Sequence, residues 1–181
     1  VKEDDLYRTI ISTVQSRSTW LGVNLVTAFM AAFVISLFQD SIEKIVALAV
    51  LMPITASMGG NAGTQAMTVA VRALATNEVS SANAWRVIGK ETAVGLLNGL
   101  IFSVAIGLCA GLWFHDQHLG MVIGAALLTN LITAGFFGAG IPILLDRMKI
   151  DPAVSSSIFL TTVTDVVGFL SFLGLATIFL L

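Results

Sequence analysis

One carboxylate stands alone in the last apolar run of this chain. Asp165 lies within Ala153–Leu181, fourteen residues beyond Asp151, where the run is entered. At ~1.5 Å per helical residue that is a depth of roughly 21 Å, inside a hydrocarbon core about 30 Å thick. A charge at such a depth costs at least ~2.5–3.5 kcal/mol and is rare unless it faces a bundle interior or a wet cavity. Ser157, Thr161, Thr164, Asp165 and Gly168 fall at i, i+4, i+7, i+8 and i+11, which is one helical face. The face offers hydroxyls, one carboxylate and one small residue, a set of hard oxygen ligands. Membrane serines and threonines often bond back to their own helix, and that accounts for about half of these hydroxyls. It does not account for Asp165.

A second polar face precedes it. Asn61, Gln65, Thr68 and Arg72 fall at i, i+4, i+7 and i+11, beside Gly59, Gly60 and Gly63. Gln65 and Thr68 read equally well as glue between helices. The Asn61 amide lies where glycines also leave backbone carbonyls accessible. Arg72 sits near a run end, from which it can snorkel. Asn98 and Asn130, single polar residues in apolar runs, read as interhelical hydrogen bonds. Glu91 pairs with a basic neighbour or lines a pore mouth. His115, Asp116 and His118 form a short loop whose residue types suit a divalent metal, although such loops usually bind nothing. No Walker loop, dinucleotide glycine fingerprint, HExxH or GxSxG occurs, so enzyme chemistry has no foothold.

The elements that must position these faces are membrane helices. The chain is 56% hydrophobic and 11% charged, against about 25% charged in soluble domains, and its mean hydropathy is +0.93. The apolar runs are continuous rather than alternating, which selects helices over a barrel. The expected fold is an all-α integral membrane protein with five transmembrane helices, over Thr19–Phe38, Ile42–Ala75, Val87–Phe114, Leu119–Leu145 and Ala153–Leu181. Pro53 should kink the second run or mark its start. Residues 1–17, with Leu6, Ile10, Ile11 and Val14 at helical spacing, read as an amphipathic juxtamembrane helix; residues 18–181 form the membrane domain. Eight of the nine lysines and arginines fall in alternate hydrophilic segments, with Lys44 the exception. The positive-inside rule then places the N-terminus in the cytoplasm and the C-terminus outside. Trp20, Trp85 and Trp113 stand near run ends as interfacial anchors. Gly59/Gly63, Gly95/Gly99, Gly107/Gly111 and Gly120/Gly124 predict close helix packing. Cys109, mid-run, reads as a small buried hydrophobe. The first 17 residues lack an apolar signal core, and the chain opens at Val1 without a methionine, which leads to the expectation of a region preceding it.

Oxygen-only ligands favour Mg²⁺, Ca²⁺ or Mn²⁺. Magnesium keeps most of its waters and is commonly held by one or two carboxylates. One Asp165 is thin for a divalent ion; a twofold dimer would bring two to one axis. Nothing points to a nucleic acid; the partners expected are a second copy, a divalent cation and the lipid bilayer. A carrier coupled to H⁺ or Na⁺ through Asp165, and a non-transporting membrane anchor, are the rival readings.

Three stretches carry a family resemblance: SMGGNAGTQAMTVAVRALAT (Ser57–Thr76), WRVIGKETAVGLLNG (Trp85–Gly99) and DPAVSSSIFLTTVTDVVGF (Asp151–Phe169). They resemble the MgtE family of magnesium transporters, over essentially the whole chain. The resemblance implies a homodimeric, Mg²⁺-selective channel of the cell inner membrane. It has five helices per subunit and a pore on the dimer axis lined by the second and fifth. It implies that Asp165 of both subunits takes a hydrated Mg²⁺, helped by the backbone carbonyl of Thr161. It places Asn61 near the cytoplasmic constriction with Val154 and Ser157. Gln65, Thr164 and Gly168 complete the expected pore lining. It also implies cytosolic N-terminal and CBS regions that sense Mg²⁺. Many members read Ser-Asn-Pro where this chain has Ser156-Ser157-Ile158. A hydroxyl therefore replaces an amide at the constriction, which bears on selection against Mn²⁺, Co²⁺ and Ca²⁺.

Overall fold

The computed structural model describes residues 5–181, and these are helical with no strand. A 3-10 turn at Asp5–Tyr7 precedes α1 (Ile10–Ser36), α2 (Gln39–Lys44), α3 (Ala47–Ala75), α4 (Ala84–Trp113), α5 (Gln117–Arg147) and α6 (Pro152–Leu180). Lys2, Glu3 and Asp4 of the expected surface helix lie outside the described residues. Residues 10–17 are the opening turns of α1, continuous with the first apolar run. Four helices, α1, α4, α5 and α6, are long and apolar enough to cross a membrane, which makes this a multi-pass membrane protein. α3 has 29 residues, but its Gly-Gly-Asn-Ala-Gly-Thr-Gln stretch keeps it out of that group.

The starts of α1, α5 and α6 carry side-chain caps. Thr9 Oγ1 accepts from Ser12 N at 3.2 Å. Asp116 Oδ1 accepts from His118 N at 3.0 Å and from Leu119 N at 3.2 Å, opening α5. Asp151 Oδ1 accepts from Ala153 N at 3.0 Å, with Pro152 as the first residue of α6. Each cap satisfies a donor that the helix itself leaves orphaned.

The second apolar run is not one helix. It breaks at Ile45, whose backbone is not helical (φ −129°, ψ 88°), so α2 ends there and α3 begins at Ala47. Ile42 and Ile45 pack against an apolar cluster at that end of the bundle, and Ser41 Oγ meets Thr177 Oγ1 of α6 at 2.7 Å. These contacts hold α2 across the end of α6 and set the break. Pro53 neither starts α3 nor precedes it; it lies inside the helix, where it removes one N–H from the ladder.

α5 is the central helix, with sixteen buried residues. Its neighbours pack at glycines. A Cβ on Gly107 would come 3.1 Å from Gly120 O, and one on Gly124 would come 3.0 Å from Ser103 O, so the α4–α5 hairpin brings backbone to backbone. α3 and α6 run antiparallel, with Gly63 against Leu160 and Thr55 against Gly168. α1 runs parallel to α6 and packs chiefly along it, with Phe38 near Gly174. The long helices therefore alternate in direction. Leu48, Leu51, Ile123, Phe172 and Leu173 fill one end of the bundle; Ala70, Ile88, Ala139 and Ile143 fill the other. Trp85 and Trp113 are exposed near opposite ends of α4, whereas Trp20 is half-buried well inside α1. Cys109 is exposed on α4 rather than buried, because it borders an open apolar groove with Ile54 and Met58 of α3 and Leu127 of α5.

Candidate polar path along two helices

α6 does not present its five polar positions as one open stripe. Ser157 and Thr161 are exposed, Asp165 is half-buried, and Thr164 and Gly168 are fully covered. The helical wheel places these residues in one sector, but what covers the sector changes with depth. Near its start the face is open. At Gly168 it is closed by Thr55 of α3 and Asn130 of α5. Thr164 Oγ1 bonds back to Leu160 O and Thr161 O, both at 3.1 Å. The Ser157 and Thr161 hydroxyls make no hydrogen bond among the described residues. Asp165 likewise has neither an ion pair nor a hydrogen bond among them, although it sits in the middle of α6.

Val154, Ser157 and Thr161 come together in a cavity of about 610 Å³ between α6 and α1, where Arg17, Trp20 and Asn24 form the other wall. Arg17 and Asn24 had no signal in the sequence that tied them to this place; only the parallel packing of α1 on α6 does so.

On α3, Asn61, Gln65 and Thr68 are all exposed. Thr68 Oγ1 bonds back to Thr64 O at 2.8 Å, so its hydroxyl is spent within the helix. Arg72 is exposed in the last turn. The pairing of Gly63 with Leu160 and of Thr55 with Gly168 sets Asn61 at the depth of Thr161 and Thr162. Asp165 lies one turn further along, near Met58. Asn61 thus matches Thr161 in depth, and Asp165 lies about a turn beyond both.

The single asparagines part company. Asn130 Nδ2 donates to Thr55 O at 2.9 Å across the α5–α3 interface. Asn98 is half-buried and makes no such bond among the described residues, because α4 meets α5 there through glycines rather than side chains. Glu91 has no ion pair among the described residues; its backbone carbonyl packs against Gly135. Ser155 and Ser156, given no role by the sequence, are fully buried with unbonded hydroxyls. In the His115–His118 loop the Asp116 carboxylate caps α5, and no group of three or more His, Cys, Asp or Glu among the described residues could hold a metal. An ion on the polar path would therefore need ligands from more than one chain, or its own water.

The family described as a divalent cation transporter, MgtE, matches residues 52–175. Three curated relatives bear the name magnesium transporter MgtE. The chain is 34% identical to that of Bacillus subtilis over 164 residues, covering 91% of this chain and 36% of the relative. It is 34% identical to that of Enterococcus faecalis over 170 residues, covering 94% and 38%. It is 35% identical to that of Thermus thermophilus over 167 residues, covering 91% and 36%. The chain thus spans little more than a third of the length of these relatives. The family is one of transporters, not enzymes, and the chain belongs to it: it is a member of the MgtE family of divalent cation transporters.

Proposed function

We propose that this chain is the pore-forming part of a divalent cation channel that carries Mg²⁺ as a homodimer. The two copies of α3 and α6 line the path, and Asp165 of both subunits holds the ion through its water shell. The observation that carries the reading is Asp165 itself: a carboxylate in the middle of an apolar helix, half-open, with no partner among the described residues. Lipid cannot satisfy it, and the exposed Asn61 and Gln65 of α3, about one and two turns from it along the same path, cannot face lipid cheaply either. A second copy and a file of water satisfy both. The Thr161 carbonyl and the Ser157, Val154 and Asn61 side chains complete the lining toward one end; Thr164 and Gly168 act as packing that holds α6 against α3 and α5. The names of the relatives favour Mg²⁺ over Mn²⁺, Co²⁺ or Ca²⁺.

α3 acts as the fifth crossing. The alternation of helix direction supports this, and a lower apolarity suits a helix that faces water on one side. Arg17, Arg72, Arg86, Lys90 and Arg147 then gather at one end of the bundle, which the positive-inside rule assigns to the cytoplasm of an inner-membrane protein. A cytosolic regulatory region would join there. Entry is driven by the inside-negative potential, worth about 2.3 kcal/mol per charge per 100 mV.

The test is Mg²⁺ uptake into proteoliposomes by the wild type and by Asp165→Asn. Uptake by the wild type under a membrane potential, without a proton or sodium gradient, and its loss in the variant are expected. Equal uptake by both would remove Asp165 from the path. Uptake that demands a proton or sodium gradient would replace the channel by a coupled carrier.

A further inference from the structure

The centre of the bundle holds a side chain that the proposed ion path does not use. Asn130 lies in the most enclosed helix, is fully buried, and reaches into the junction of α3, α5 and α6. Its amide nitrogen donates to the backbone oxygen of Thr55 at 2.9 Å. Gly59 of α3 flanks it on one side and Gly168 of α6 on the other; a Cβ on Gly168 would come 2.8 Å from Asn130 Nδ2, and one on Gly59 would collide with the same amide. Both neighbours are glycine at the two places where the carboxamide needs room. Gly59 stands two residues before Asn61, and Gly168 stands three residues after Asp165. One amide therefore sits wedged between the two helices at the depth of Asp165 and about a turn from Asn61.

Stability alone does not explain an asparagine here. Its Oδ1 and the neighbouring Thr55 Oγ1 are both buried without a hydrogen-bond partner. A leucine or alanine in place of Asn130 would remove the unmet Oδ1, and the flanking apolar clusters show that this bundle packs well without polar groups. What the amide adds is direction: its bond to a backbone oxygen fixes the depth of α3 relative to α5, and its plane between two glycines fixes the gap to α6.

We infer that Asn130 is a positioning residue: it sets the separation and relative depth of α3 and α6, and through them the placing of Asn61 and Asp165 about a cation. This rests on the proposed function for its consequence in selectivity, but not for its geometric part. The experiment reads the two apart. Spin labels at Val69 and Ala153, exposed on α3 and α6 near one end of the bundle, are placed in the intact protein with Cys109→Ser and diluted with unlabelled protein. Asn130→Ala should broaden or shift their distance distribution. Asn130→Ser, which keeps a donor on a shorter arm and leaves less of a cavity, should move it less. In unlabelled protein of equal amount and dimer content, Asn130→Ala should lower the ratio of Mg²⁺ to Ca²⁺ uptake by several-fold, beyond any common fall in both rates. An unchanged distance distribution in both variants overturns the inference. So does a changed distribution with an unchanged ion ratio, since the amide would then hold helices without placing the path. If the wild type carries no divalent cation, the proposed function fails, and the label distances still decide whether Asn130 sets the geometry.

Discussion

Thr164 Oγ1 donates to the carbonyl oxygen of Thr161 at 3.1 Å. The acceptor is the carbonyl one turn before Asp165, the one the proposed path turns toward its ion. A hydroxyl on that oxygen draws off part of its negative potential. The bond is shared with Leu160 O, also at 3.1 Å, so it is not strong, but the Thr164 side chain that makes it is fully buried.

Thr164→Val keeps the shape and removes the donor. The Thr161 oxygen becomes a better ligand, and Mg²⁺ should bind up to a few-fold more tightly, a change of at most about 1 kcal/mol, the usual net worth of one hydrogen bond. Isothermal titration in detergent measures it. Weaker binding by the variant would mean that the hydroxyl, not the carbonyl, serves the ion.

Asp165→Asn should cut Mg²⁺ uptake at least tenfold while the protein still purifies as a single species. Thr161→Ala, which removes an exposed hydroxyl but keeps the backbone carbonyl, should cost less than about threefold, roughly 0.65 kcal/mol at room temperature. Uptake rates in vesicles compare the two. A larger loss at Thr161 than at Asp165 would reverse the assigned roles.

A methyl group on Gly138 would lie 2.8 Å from both Gly63 O and Ala66 Cβ. Backbone cannot step aside as a side chain can, so α3 and α5 must part. Gly138→Ala should destabilise the bundle by about 1–3 kcal/mol, as overpacking does. Gly60→Ala, where nothing lies within 4 Å of the added Cβ, should be harmless to the fold. Thermal unfolding followed by tryptophan fluorescence gives the comparison, and similar midpoints would contradict the close approach.

Ser41 Oγ and Thr177 Oγ1 meet at 2.7 Å where α2 crosses the end of α6. Interhelical hydrogen bonds in membranes average about 0.6 kcal/mol. A double-mutant cycle of Ser41→Ala with Thr177→Val should return a coupling of that size. A coupling near zero would show that the Ile42 and Ile45 contacts alone hold α2 in place.

Much of the fold is written in local patterns. The starts of α5 and α6 are legible because Asp116 and Asp151-Pro152 are capping chemistry, and the lengths of the apolar runs give α4, α5 and α6 to within a few residues. The break at Ile45 is not legible, since no glycine or proline marks it; it is set by contacts with the end of α6 that lie far off in sequence. Periodicity gives the polar positions of α6, but not their environments. A helical wheel gives the angle of Thr164 and Gly168, not the burial of both or the presence of Asn130 and Thr55 over Gly168. Cys109 shows the reverse error, an apolar residue in an apolar run that faces outward because lipid, unlike water, accepts it. Asn130 is the most telling case: a lone amide among glycine-rich helices signals an interhelical bond, yet only the structure shows that its acceptor is a backbone carbonyl on α3.

The polar stretch that keeps α3 from the apolar group has a consequence for biogenesis. If α3 crosses the bilayer, it leaves the ribosome before α5 and α6, the two helices that cover Thr55, Gly59 and Gly63. Until they arrive its weak apolarity must hold it in the membrane alone, and its Asn61–Gln65 face waits longer still, for another copy. A nascent chain cut short after α4 should therefore fail to retain α3 across the membrane while retaining α1, so the order of synthesis makes the last helices responsible for the insertion of an early one.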